Sequence, residues 1–141
     1  MYDVCVSYES GKVMQYWDQL LTNFGIPAES VWIRNLPSNI TNLYSGKYDQ
    51  LYDVTKIKNK QMVVLAPPNG LYIQGVESLV DFIHPENALY FFGSDHVYLE
   101  EEEYGGLIPN NYVYIPQHDR HDMYSFCAAS CVFYDRLVKN G

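Results

Sequence analysis

Apolar and polar residues alternate from Tyr2 to Tyr8 (YDVCVSY), the period of a strand with one face on a core. The period then changes. Val13, Tyr16, Trp17, Leu20, Leu21 and Phe24 recur at three- and four-residue spacing, which predicts an amphipathic helix over residues 12–24. Glu9-Ser10-Gly11 supplies a start for it, and Gly25 with Pro27 a stop. Ser30 to Arg34 (SVWIR) reads as a second strand. A strand, a helix and a strand in that order form the unit of a parallel sheet, because the helix carries the chain back to the sheet's starting edge.

The rest of the chain continues the alternation. Met62 to Ala66 (MVVLA) and Ala88 to Phe92 (ALYFF) are unbroken apolar runs, the mark of strands covered on both faces. Pro67-Pro68-Asn69-Gly70 closes the first run with a rigid turn. Tyr112 to Ile115 (YVYI) is a further strand, stopped by Pro116. A short helix is expected near Asp49 to Val54, and Val76 to Ile83 (VESLVDFI) has helical spacing before Pro85. The last helix is expected from about Asp122, its N-cap, to Lys139 near its negative end. With no internal repeat and no low-complexity linker, residues 1–141 read as one α/β domain, a mainly parallel sheet flanked by helices.

Composition narrows the class. A chain of 141 residues fits one domain with a real core, and 48% hydrophobic content excludes a disordered chain. No apolar run is long enough for a transmembrane helix, and Met1-Tyr2-Asp3-Val4 lacks the features of a signal peptide. Cys5, Cys127 and Cys131 are too few for a disulfide scaffold. A cytoplasmic protein without a membrane partner is expected. The net charge of −8 opposes binding to a phosphate backbone unless the cations cluster. Lys47, Lys56, Lys58 and Lys60 share one stretch, but no Lys or Arg occurs from Gln61 to Asp119. Glu100 to Glu103 is expected to be a solvated acidic face.

In open parallel sheets, ligands bind beyond the carboxyl ends of the strands. The segments there are Leu65-Ala66-Pro67, Gly93-Ser94-Asp95-His96 and Ile115-Pro116-Gln117. Gly93 permits close backbone approach, and Asp95 can accept hydrogen bonds from a sugar or amine. Other motifs carry less. His118 and His121 are three apart without further ligands at metal spacing, so no metal site is expected. Cys127 and Cys131 share a helix face and read as small packing residues. Phosphate-loop, dinucleotide and nucleophile-elbow motifs are absent. Arg34, the only Arg in the first 119 residues, reads as a surface cation, or else as a group that binds a phosphate or carboxylate.

The last third resembles a known pattern. An apolar strand ends in Gly93-Ser94-Asp95, and a later strand ends in Ile115-Pro116. A helix then opens on Asp122-Met123-Tyr124, runs through Ala128-Ala129-Ser130 and reaches Tyr134-Asp135. Asn23-Phe24-Gly25-Ile26 before Val31-Trp32-Ile33 is similar to an earlier motif of the same kind. Together they resemble the SPOUT methyltransferases, in particular the SpoU/TrmH branch that methylates RNA ribose 2′-hydroxyls. The resemblance implies a C-terminal trefoil knot, a homodimer packed through the last helix, and S-adenosyl-L-methionine as cofactor. By position it assigns Leu65, Ala66, Gly93, Ser94, Asp95, Ile115, Met123 and Tyr124 to the cofactor. It also marks departures: Val13 and Gln19 stand at the family's Asn and catalytic Arg positions, and Asp122 and Tyr124 replace a Ser and an Asn. The catalytic residues stay unassigned. Three functions follow: an RNA (tRNA or rRNA) methyltransferase, a catalytically degenerate SPOUT dimer acting as a binding module, or an unrelated unknotted α/β protein.

Overall fold

A computed structural model describes residues 2–40, 47–67, 73–94, 101–119 and 122–141. Six strands form one sheet: β1 (Asp3–Ser7), β2 (Val31–Arg34), β3 (Gln61–Leu65), β4 (Val76–Ser78), β5 (Ala88–Phe91) and β6 (Asn111–Tyr114). Their order is β2-β1-β5-β3-β6-β4, and every pairing is parallel. Among the described residues, two α-helices accompany them, α1 (Gly11–Asn23) and α2 (Ser125–Asn140).

The first unit forms as the periodicity predicts. Ser10 caps α1, its hydroxyl accepting from the Val13 N–H at 3.4 Å. At the other end Gly25 takes a left-handed φ of +66°, and the Ile26 N–H closes back on the Leu21 carbonyl at 3.0 Å. Only a residue without Cβ adopts that turn at no steric cost, and it sends the chain into β2.

Alternation within the strands divides the core in two. Val4, Val6, Val31, Ile33, Val63, Tyr90, Phe92 and Val113 face Met14, Trp17 and Leu21 of α1 and Ala129, Val132 and Phe133 of α2. Both helices therefore cover the same face. Cys5, Trp32, Met62, Val64, Leu89 and Phe91 point to the opposite face. No helix covers that second face among the described residues. Tyr52, Ile57, Tyr104 and Leu107, carried by irregular segments and short 3₁₀ turns, close it instead.

Three expected elements differ. Val76 to Ile83 is not a helix: residues 76–78 are β4, and the Leu79 N–H still donates to the Tyr114 carbonyl at 2.9 Å. A segment this short gains little from helix formation, whereas the open edge of β6 offers backbone partners. Residues 49–53 are not helical either: Leu51 bridges to Ile33 beside β2, and only a 3₁₀ turn, Val54–Lys56, follows. The Ile33 N–H donates to the Gln50 carbonyl at 2.8 Å and the Tyr52 N–H to the Ile33 carbonyl at 2.9 Å. Finally, α2 begins at Ser125, with Tyr124 at the cap position and Asp122 outside the helix.

A buried polar network fixes the far end of α2. Arg136 Nη1 donates to the Pro85 carbonyl at 2.7 Å and to the Tyr90 hydroxyl at 2.9 Å. Because that oxygen already accepts from Arg136, the Tyr90 O–H is available to donate to His84 Nδ1, 2.7 Å away. His84 Nε2–H is then the donor to Asp135, at 2.6 Å. Lys139 grips the carbonyls of Leu79, Val80 and Phe82. The network lies beside Tyr2 and Glu86, ahead of the amino ends of β1 and β5, and borders an open cleft of about 590 Å³.

Candidate functional site at the carboxyl ends of three adjacent strands

The order β5-β3-β6 sets three carboxyl ends side by side. Register carries the ladder past the strands: the Ala66 N–H donates to the Val113 carbonyl at 2.8 Å, and the Phe92 N–H to the Cys5 carbonyl at 3.1 Å. Leu65-Ala66, Gly93-Ser94 and Ile115 thus leave the sheet as neighbours. The first turn of α2 joins them, since the Ser125 hydroxyl donates to the Gly93 carbonyl. That bond draws Met123 and Tyr124, the two residues ahead of it, toward the same end. Ala66 is buried, Leu65, Gly93, Ser94, Ile115 and Met123 are half-buried, and Tyr124 is exposed. Asp95 and His96 lie outside the described residues.

Arg34 is not a surface cation. It ends β2 with 6% exposure, on the face opposite the helices. One guanidinium nitrogen donates to Glu103 and another to the Phe92 carbonyl. The group also lies over the Phe91 ring, 4.3 Å from its centroid. The carboxylate that Arg34 binds is therefore internal. Glu103, expected on a solvated face, is drawn in as its counter-ion, because a buried guanidinium without one would be costly. Tyr52 secures the same turn, its hydroxyl donating to the Tyr104 carbonyl at 2.6 Å. Beneath Arg34, burial pushes the Cys5 thiol up to about 12, with the nearby Arg34 charge opposing in part.

The other candidates do not join this end of the sheet. Gln19 is exposed on α1, and its amide donates to Asn23 at 2.9 Å. His118 pairs with Asp119 at 2.8 Å in full exposure, while His121 lies outside the described residues. His84 belongs to the network at the far end of α2. Cys127 and Cys131 are half-buried and form no disulfide. Glu103 and Ser125 are the site-shaping residues that local periodicity does not reveal. The one signal in the sequence was that Arg34, the only Arg among the first 119 residues, ends an apolar strand.

S-adenosylmethionine is the group that the resemblance implies. It carries a sulfonium, an ammonium and a carboxylate, for a net charge of about +1 at neutral pH, with an apolar adenine edge. Strand-end backbone and the apolar side chains of Leu65, Ile115 and Met123 fit such a ligand. Among the described residues, the one buried cation nearby, Arg34, is neutralised by Glu103.

No known family's sequence profile matches the chain, and no curated protein is similar to it in sequence. Its backbone, however, matches solved structures. One is a probable methylase family protein from Haemophilus influenzae Rd KW20, with a TM-score of 0.63 and 12% sequence identity. The match covers 99% of this chain and 66% of that one, so the chain spans just under two thirds of its neighbour's length. The fold is thus shared with a probable methylase.

Proposed function

We propose that this chain is a SPOUT-type, S-adenosylmethionine-dependent methyltransferase domain acting on ribose 2′-hydroxyls of tRNA or rRNA. The observation that carries this reading is the convergence of Leu65-Ala66, Gly93-Ser94 and Ile115 with the start of α2, on a fold shared with a probable methylase. When bound, the cofactor supplies an electrophilic sulfonium methyl group. The chain's own part is to hold and orient. Backbone groups at the three strand ends fix the ligand's polar edges, and Leu65, Ile115 and Met123 exclude water from its apolar parts. The trefoil knot that holds the cofactor in SPOUT domains belongs to this reading.

The reading includes a homodimer through α2. The helix buries Ala129, Val132, Phe133 and Arg136 on one side. Its opposite side presents Tyr134 and Val138, both more than half exposed. A helix apolar on both sides suits a second packing partner.

A second reading, a catalytically degenerate binding module of the same fold, is favoured by one observation. Among the described residues, the only buried cation at this end is neutralised by Glu103, and Gln19 stands where the resembled family has its catalytic Arg. Calorimetric titration with S-adenosylmethionine and S-adenosylhomocysteine tests the cofactor step. The expected result is one site per chain, weakened at least tenfold by Gly93→Val. No binding in the sub-millimolar range would sink the methyltransferase reading and leave the binding module. Transfer of labelled methyl groups to ribose in total RNA then separates enzyme from binding module.

A further inference from the structure

The geometry points to Arg34 as a positioning residue that, with Ser125, clamps the Gly93 turn from both faces of the sheet. The inference deepens the proposed function and rests on its assignment of Gly93-Ser94 to the cofactor. β5 ends at Phe91, so the next carbonyls have no strand partner along the ladder. Phe92 sends its N–H to Cys5, and Arg34 takes up its carbonyl. The following carbonyl, that of Gly93, accepts from Ser125. Arg34 reaches in from the second face, where it stacks on Phe91. Ser125 reaches in from α2, on the first face. Successive carbonyls on either side of Gly93 are thus held by side chains from two elements.

Glycine makes such a clamp necessary. With no Cβ it samples more backbone conformations than any other residue, so its own sterics do not fix the turn. A ligand that binds turn backbone would have to order it, and that entropy is subtracted from affinity. Arg34 and Ser125 order the turn beforehand. Glu103 has a separate part: it neutralises Arg34, so the anchor adds no net charge beside a cationic ligand. Arg34 touches neither cofactor nor substrate in this role.

The test compares four purified proteins: wild type, Ser125→Ala, the double variant Arg34→Gln with Glu103→Gln, and Tyr90→Phe. The double variant removes both charges, so neither remains buried and unpaired. Tyr90→Phe removes a hydroxyl from the network at the other end of α2, with no bond to the Gly93 turn, and controls for destabilisation alone. Amide hydrogen exchange in the free proteins is read first. Exchange at Gly93 and Ser94 rises in Ser125→Ala and in the double variant, and does not change in Tyr90→Phe. Unchanged exchange at both amides in a folded double variant overturns the clamp itself, whatever the ligand. S-adenosylmethionine titration is read second. The dissociation constant rises at least threefold in Ser125→Ala and at least tenfold in the double variant, and stays within twofold in Tyr90→Phe. A double variant within twofold of wild type overturns the positioning role alone. If wild type itself binds nothing, the cofactor reading falls and the positioning role falls with it.

Discussion

Replacing Tyr90 by Phe removes one oxygen from the network that fixes the far end of α2, and its cost can be worked from the contacts. The ring stays, with its edge against Tyr2 at 5.3 Å and against Phe133 at 6.3 Å between centroids, so no cavity opens. Two hydrogen bonds go. Arg136 loses little, because the same nitrogen keeps the Pro85 carbonyl at 2.7 Å. His84 loses the donor to Nδ1, and its ring is buried, so that acceptor is left without a partner. An unsatisfied buried group costs about 1–3 kcal/mol, which puts the substitution near ~2 kcal/mol. For a chain of this length that lowers Tm by about 6–8 °C. Urea unfolding at neutral pH gives the value, provided the slope with denaturant is unchanged. Tyr2→Phe is the control, since that ring touches Tyr90 while its hydroxyl stands outside the network; it should cost less than about 0.5 kcal/mol. Equal costs for the two substitutions would refute the hydrogen-bond assignment around His84.

Two further outcomes follow from buried titratable groups. Burial holds the His84 pKa below its ordinary value, although the Asp135 carboxylate pulls the other way. The unfolded chain, with an ordinary value of about 6.5, then takes up the proton before the folded one, so stability falls as pH drops below about 6.5 and is unaffected above it. Urea midpoints at neutral and mildly acidic pH should show a larger acid loss in wild type than in His84→Gln; an equal loss in both counts against His84. Cys5 is buried and its thiol is pushed up to about 12, so it forms almost no thiolate at neutral pH. A thiol reagent should modify Cys127 and Cys131 in the native protein and reach Cys5 only in denaturant, and three thiols titrating natively would contradict the buried position.

The first three elements were legible because periodicity and punctuation agree there. Alternation over residues 2–8, three-and-four spacing over 13–24 and Gly25 all point to β1-α1-β2, and the left-handed φ at Gly25 is the physical reason the glycine marks the stop. The apolar runs MVVLA and ALYFF were legible as strands because both of their faces are covered. Val76 to Ile83 misled for a definite reason: Leu79 and Phe82 are buried while Val80 and Ile83 are exposed, so apolar residues at helical spacing do not share one buried face. The second face of the sheet was illegible altogether. Tyr52, Ile57, Tyr104 and Leu107 cover it from irregular segments, which carry no period. The candidate site divides in the same way. Strand ends can be read from where an apolar run meets glycine or proline. A contact between Arg34 and Glu103, 69 residues apart, leaves no trace in local pattern.

Charge separates binding a cofactor from binding RNA in this chain. Lys47 is tied to Thr22 at the last turn of α1, and Lys60 to Asp3 at the amino end of β1. Arg136 and Lys139 are spent on the carbonyls of residues 79–86. Lys56 and Lys58 are exposed in the segment that covers the second face. Among the described residues, the carboxyl ends of the strands are left with Arg34, already neutralised, and the exposed Lys12 at the start of α1. A cationic sulfonium is at ease beside such a surface. A polyanion is not, because its affinity comes largely from phosphates paired with Lys and Arg. In the proposed function, methyl transfer to RNA therefore needs cations from beyond the described surface, whereas cofactor binding needs none.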